Sequence, residues 1–156
     1  MTTIAIINGP NLNRLGKREP DIYGSTTLDQ VVEMVRTRAA ELGWEVVAFQ
    51  SNHEGALIDE IHRLADAGAD GIILNAGALT HYSYALLDAI MAVEVPTIEV
   101  HISDISQREE WRHRSVITDG CVGFIAGHGV QGYVEALDLF RAHFGRSSAP
   151  DLRVVS

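Results

Sequence analysis

Five short runs of β-branched and aliphatic residues, four of them followed by a stretch with helical apolar spacing, constrain this 156-residue chain more than any other feature. They predict strands over Thr3–Ile7, Glu45–Gln50, Gly71–Asn75, Thr97–His101 and Val122–Ala126. Their near-continuous apolar character, in place of strict alternation, belongs to strands covered on both faces. Between them, Thr27 and Gln30 stand in capping-box spacing before a helix predicted from Leu28 to Leu42, which Gly43 stops. Further helices are predicted over 55–67, 82–93 and 130–144, while 107–116 reads as short and irregular. The helix over 82–93 ends before Val95-Pro96, a step that resists helical continuation.

Strand–helix alternation with right-handed crossovers gives an open parallel sheet between two helix layers. The expected class is therefore α/β, a flavodoxin-like three-layer fold with five parallel strands in the order 2-1-3-4-5. In that order the binding crevice lies at the carboxyl ends of strands one and three. One catalytic-size domain is expected over 1–146, with 147–156 as a loose tail.

Bulk properties narrow the partners. The formal net charge is −9 and no Lys/Arg-rich block occurs, so nucleic acid is not an expected partner. An anionic small molecule needs a local concentration of cations, and Arg14, Lys17 and Arg18 supply one. A lone cysteine, Cys121, allows no intrachain disulfide and reads as a buried small hydrophobe. The start, MTTIAIING, lacks the pattern of a secretory leader, and no apolar run reaches bilayer-spanning length. A cytoplasmic protein without a membrane partner is expected.

The strand ends carry the chemistry. After the first strand, NGPNLNRLGKREPDIYG spends far more residues than a strand-to-helix connection needs. Glu99 and His101, two apart on one strand, share a face, and a carboxylate beside an imidazole favours and orients the charged ring. His101 then either donates a proton or closes the strand with a backbone bond; both readings stand on the sequence. Tyr23 either packs the loop or, with the Arg18 guanidinium beside it, carries negative charge; a free phenol, with a pKa of about 10, does not do so near neutrality. GHGVQG, Gly127 to Gly132, has dinucleotide-type glycine spacing but follows the last strand, so it reads as a tight turn into a helix. His53, His81 and His101 fall at neighbouring strand ends without metal-ligand spacing, and neither a nucleophile elbow nor a Walker sequence occurs.

Taken together, NGPNLNRLGKREPDIYG, QSNHEGALID, NAGALTHYSYALLDA, EVHIS with REEWRHRS, and GHGVQGY resemble the type II 3-dehydroquinate dehydratases, in order and over nearly the whole chain. The resemblance implies reversible dehydration of 3-dehydroquinate to 3-dehydroshikimate, a step toward aromatic amino acids. It implies an enolate and no metal or cofactor. By the same resemblance Tyr23 matches the base, Arg18 its cationic partner, His101 the acid, Glu99 its orienting carboxylate, and Asn11 the amide holding a water at the enolate oxygen. Asn75, Ile102 and Ser103 match the group receiving the substrate carboxylate, and His81 and Arg112 those gripping ring hydroxyls. Asp88 matches an acid reaching a neighbouring subunit, since the family assembles as trimers packed into dodecamers. The segment Leu15–Gly24 matches a lid, with Gly16 and Gly24 permitting its swing.

Three positions depart from the family pattern. Asp104 stands where Asn is usual and is expected to keep local turn contacts while adding a negative charge near the carboxylate site. Tyr82 and Tyr84 replace smaller residues. Two other functions compete: a flavodoxin-like small-molecule binding module, and a metal-dependent hydrolase built on His53, His81 and His101.

Overall fold

Side chains of the first strand, β1 (Thr3–Asn8), alternate between two separate cores. Ile4 and Ile6 join one cluster, Ala5 and Ile7 the other, and all four are buried. The computed structural model describes residues 1–146 and the strand Leu152–Arg153. In chain order β1 is followed by α1 (Pro20–Tyr23), α2 (Leu28–Glu41), β2 (Glu45–Gln50), α3 (Glu54–Asp66) and β3 (Gly71–Asn75). Then come α4 (Tyr84–Ala92), β4 (Thr97–His101), β5 (Gly123–Ala126), α5 (Gln131–Phe144) and β6 (Leu152–Arg153).

All neighbouring strands pair in parallel, in the order β2-β1-β3-β4-β5-β6. The expected 2-1-3-4-5 sheet is present, and β6 adds two residues beyond β5. The rest of the expected tail, 147–151 and 154–156, lies outside the described residues. The capping box forms as predicted: Gln30 N–H donates to Thr27 Oγ1 at 3.2 Å, and Thr27 N–H to Gln30 Oε1 at 2.9 Å. Val31, Val35 and Ala39 of α2 meet Tyr133, Leu137 and Phe140 of α5 over one sheet face. Leu57, Ile61 and Leu64 of α3 meet Leu86 and Ile90 of α4 over the other. Among the described residues no helix is long and apolar enough to cross a membrane.

Two boundaries differ from the sequence expectation. Positions 77–81 wind into a 3-10 turn, and α4 starts only at Tyr84, because the Ser83 hydroxyl accepts the Leu86 N–H at 3.0 Å and caps the helix there. The long connection after β1 contains a 3-10 turn over Leu12–Arg14 and one α-helical turn, α1, where Pro20 supplies a preset φ at the first position.

The loops after β1 and β3 touch backbone to backbone. Gly9 N–H donates to the Asn75 carbonyl at 2.8 Å, and a Cβ on Gly9 would sit 2.4 Å from the Ala76 carbonyl oxygen. Main-chain atoms held by the sheet cannot give way. Gly9→Ala is therefore expected to lower the free energy of unfolding by about 2 kcal/mol or more, the upper part of the overpacking range, as read from urea denaturation.

Candidate active site

The carboxyl ends of β1, β3 and β4 open onto one pocket. Asn11, Arg18 and Tyr23 reach it from the first connection, Asn75 and His81 from the end of β3 and the turn after it, and His101, Ile102, Ser103, Arg108 and Arg112 from β4 and beyond. Nine of the eleven predicted site residues thus line one cavity. Glu99 lies behind His101, and Asp88 sits on the exposed face of α4 away from the pocket.

Tyr23 is held by two cations. Arg108 Nη1 donates to its hydroxyl oxygen at 2.7 Å and Arg18 Nη2 at 3.4 Å, while the two guanidiniums stand 4.4 Å (Arg18) and 5.3 Å (Arg108) from the ring centroid. Charge-assisted donors of this kind stabilise negative charge on the oxygen they reach. Arg108 also donates to Ser103 Oγ at 3.2 Å, so one side chain bridges the phenol and the loop after β4.

Behind the pocket, Glu99 is 0% exposed. A carboxylate taken out of water needs compensating donors, and three converge on it. His101 Nε2–H donates to Oε2 at 2.5 Å, Ser115 Oγ–H to the same oxygen at 2.7 Å, and Thr118 Oγ1–H to Oε1 at 2.5 Å. With Nε2 committed to Glu99, Nδ1 is the atom of His101 left for the pocket, and it carries a proton only in the imidazolium form.

His81 is oriented differently. Its Nδ1–H donates to the Arg114 carbonyl at 2.7 Å, leaving Nε2 as an acceptor in the neutral ring. Burial holds this imidazole below its ordinary pKa, against the raising effect of that carbonyl. The Trp111 ring meets His81 edge-on at 5.4 Å, and the Arg112 guanidinium lies over the Trp111 ring at 4.0 Å.

Sequence reasoning missed Arg108, Ser115 and Thr118, although Arg108 and Ser115 are the first and last residues of the quoted REEWRHRS block. It also missed Asn52, whose Oδ1 accepts the Asn11 N–H at 2.9 Å and holds that residue at φ 71°. Asp104 makes the expected turn contacts: its Oδ1 accepts Ser106 N–H at 3.0 Å and Ser106 Oγ–H at 2.6 Å, capping a 3-10 turn, and the residue lines a separate cavity, not this one. Tyr82 and Tyr84 are exposed and do not line the pocket. Nor does His53, so the three histidines do not meet; among the described residues no three His, Cys, Asp or Glu are grouped to hold a metal ion.

The family profile described as "Dehydroquinase class II" matches residues 2–141. The chain belongs to this family. The 3-dehydroquinate dehydratase of Caldicellulosiruptor saccharolyticus is 58% identical over 137 residues, covering 88% of this chain and 94% of that protein. A catabolic 3-dehydroquinase of Verticillium alfalfae is 50% identical over 140 residues, covering 90% and 93%. The crystal structure of the type II dehydroquinase from Butyrivibrio crossotus superposes with a TM-score of 0.88 at 48% identity, covering 90% of this chain and 97% of that one. This class II dehydroquinase is accordingly an enzyme, which sets aside the binding-module alternative.

The depressed pKa of His81 fixes a pH sign. Because folding lowers its proton affinity, the stability it contributes is complete above the ordinary value of 6.5 and is lost as pH falls through the folded-state value. An NMR titration of the folded protein is expected to show the Nδ1–H tautomer at pH 7 and a midpoint below 6.5 for His81.

Proposed function

We propose that the chain dehydrates 3-dehydroquinate to 3-dehydroshikimate, with Tyr23 as base and His101 as acid. The observation that carries this is the phenol oxygen of Tyr23 under two guanidinium donors, in the same pocket as an imidazole backed by a buried carboxylate.

Asn75 and the backbone N–H groups of Ile102 and Ser103 receive the substrate carboxylate, and His81 Nε2 and Arg112 take ring hydroxyls. The Tyr23 phenolate removes the proton beside the ketone, and the electron pair moves onto the carbonyl oxygen. Asn11 holds a water against that enolate oxygen. The enolate then collapses: its electrons form the ring double bond, the carbon–oxygen bond of the leaving hydroxyl breaks, and the imidazolium Nδ1–H of His101 protonates it to water. Glu99 stabilises the imidazolium before transfer and keeps the ring aimed. The cycle ends with a neutral His101 and a protonated Tyr23, and one proton exchange with solvent restores both. Every step is a proton transfer or an elimination, so no cofactor enters the scheme.

Leu15–Gly24 acts as the lid that brings the phenol to its cations and excludes water. Asp88, exposed on α4, reaches the site of a neighbouring copy within trimers that pack into dodecamers. The cell compartment is the cytoplasm.

The direct test is ultraviolet absorbance of the enone forming from 3-dehydroquinate with a chelator present and nothing else added; no absorbance change would overturn the assignment. Arg18→Ala is expected to lower kcat by about 10²-fold or more, the scale of losing one donor to developing charge, with KM changed only a few-fold. His101→Ala is expected to keep deuterium exchange beside the ketone while water loss stalls. Exchange and elimination falling together would disprove the division of roles.

A further inference from the structure

The GHGVQG turn and the tyrosine after it have no part in the scheme above. Yet every group assigned there to the substrate carboxylate is hydrogen-bonded to this one segment. Gly129 N–H donates to the Ile102 carbonyl at 3.0 Å and Gly127 N–H to the Ser103 carbonyl at 3.1 Å. The Tyr133 hydroxyl accepts from Asn75 Nδ2 at 2.9 Å and donates to Asn8 Oδ1 at 2.6 Å. We propose that Gly127–Tyr133 is the frame of the carboxylate receptor, and that its glycines and Tyr133 are positioning residues for an anionic ligand group. The inference rests on the assignment of Asn75, Ile102 and Ser103 made above.

The geometry follows from the peptide plane. In a trans peptide the carbonyl of one residue and the N–H of the next point in opposite directions. Drawing the Ile102 carbonyl toward Gly129 therefore turns the Ser103 N–H the other way. Pinning the Ser103 carbonyl as well fixes the next plane, so residue 103 is held from both sides. Among the described residues neither the Ile102 nor the Ser103 N–H has a hydrogen-bond acceptor, and both residues line the pocket. Two donors left unpaired beside a cavity suit an oxyanion.

The glycines are required by backbone conformation. Gly127 has φ 81° and Gly129 φ 62°, a region that side-chain-bearing residues rarely adopt. That conformation lets alternate N–H groups face the 102–103 loop, while His128 between them turns to Glu135, its Nδ1 lying 2.5 Å from Oε2.

Tyr133 completes the frame from α5. It is 0% exposed, and Asn75 and Asn8 are nearly so. Burial raises its phenol above the ordinary value, so it stays a neutral donor to Asn8 and acceptor from Asn75. Gly77 N–H donates to Asn75 Oδ1 at 3.2 Å, which fixes the amide the other way round. One Nδ2 proton of Asn75 is thus committed to Tyr133, and the second remains for a ligand oxygen.

Two altered proteins test the frame. One carries Tyr133→Phe; in the other, the Gly129 amide is replaced by an ester, which deletes the N–H and keeps every side chain. Each is compared with the unaltered protein for turnover of 3-dehydroquinate. Calorimetry then compares binding of a cyclic polyol carboxylic acid with that of the same ring lacking the carboxylate. The expected result is a KM and a carboxylate-ligand Kd raised about tenfold, kcat within about twofold, and unchanged binding of the carboxylate-free ring. Equal losses for both ligands, or no loss for the carboxylic acid, would overturn the proposal. Should Tyr133→Phe fail to fold, the ester protein decides alone, with an ester at Gly145, just past the far end of α5, as the control for the chemistry. An unaltered protein that does not turn over 3-dehydroquinate would instead overturn the assigned reaction. The calorimetric comparison stands apart from that result, because it reads carboxylate binding without turnover.

Discussion

The site depends first on the parallel register of β1, β3 and β4. Parallel pairing brings all carboxyl ends to one edge, and the register aligns Asn8 with Asn75 and Leu74 with Glu99. With those ends level, the loops after β1 and β3 must pass in backbone contact, which only Gly9 beside Ala76 and Gly77 beside Pro10 permit. Asn75 is then fixed between Gly77 and Tyr133, and Asn11 between its own turn and Asn52. The alignment of His101 with Ala126 likewise places the turn after β5 beside the loop after β4. Side chains from three connections converge because the strands beneath them leave no freedom to diverge.

Electrostatics in the pocket run opposite to the chain as a whole. The protein carries a net charge of −9, yet Arg18, Arg108 and Arg112 all line one cavity. Exposed charges beyond about 8 Å are largely screened at physiological ionic strength, so an anionic ligand in the pocket responds to these cations more than to the distant acidic surface. Glu99, behind His101, is out of contact with solvent and occupied by three donors. Its charge is directed to His101 rather than into the pocket.

The sheet was legible because continuous apolar runs have few other uses in a chain of this size, and the five strands fall within a residue of their expected ends. Much of the pocket was legible too, since polar residues at strand ends stand out against apolar strands. What escaped depends on irregular backbone. Arg108 reaches Tyr23 only because 105–112 folds through two 3-10 turns, which carry no periodic signature. Asp104 faces away from the pocket because it caps the first of these turns. Tyr133 sits in the apolar stripe of α5 and reads as core, which it is; periodicity reports the buried ring and is blind to the hydroxyl at its end.

The segment that carries Tyr23 depends on tertiary contacts in the same way. A four-residue helix lies far below the length at which a helix supports itself, and α1 has only the bonds from Ile22 and Tyr23 to the Glu19 carbonyl and from Gly24 to Pro20. Its entry is strained, with Glu19 at φ 33°. Local structure therefore cannot fix Tyr23 over the pocket. Tertiary contacts do so, and those at its hydroxyl are the guanidiniums of Arg18 and Arg108. The phenol is thus placed by the same charge-assisted donors that favour negative charge on the oxygen they reach.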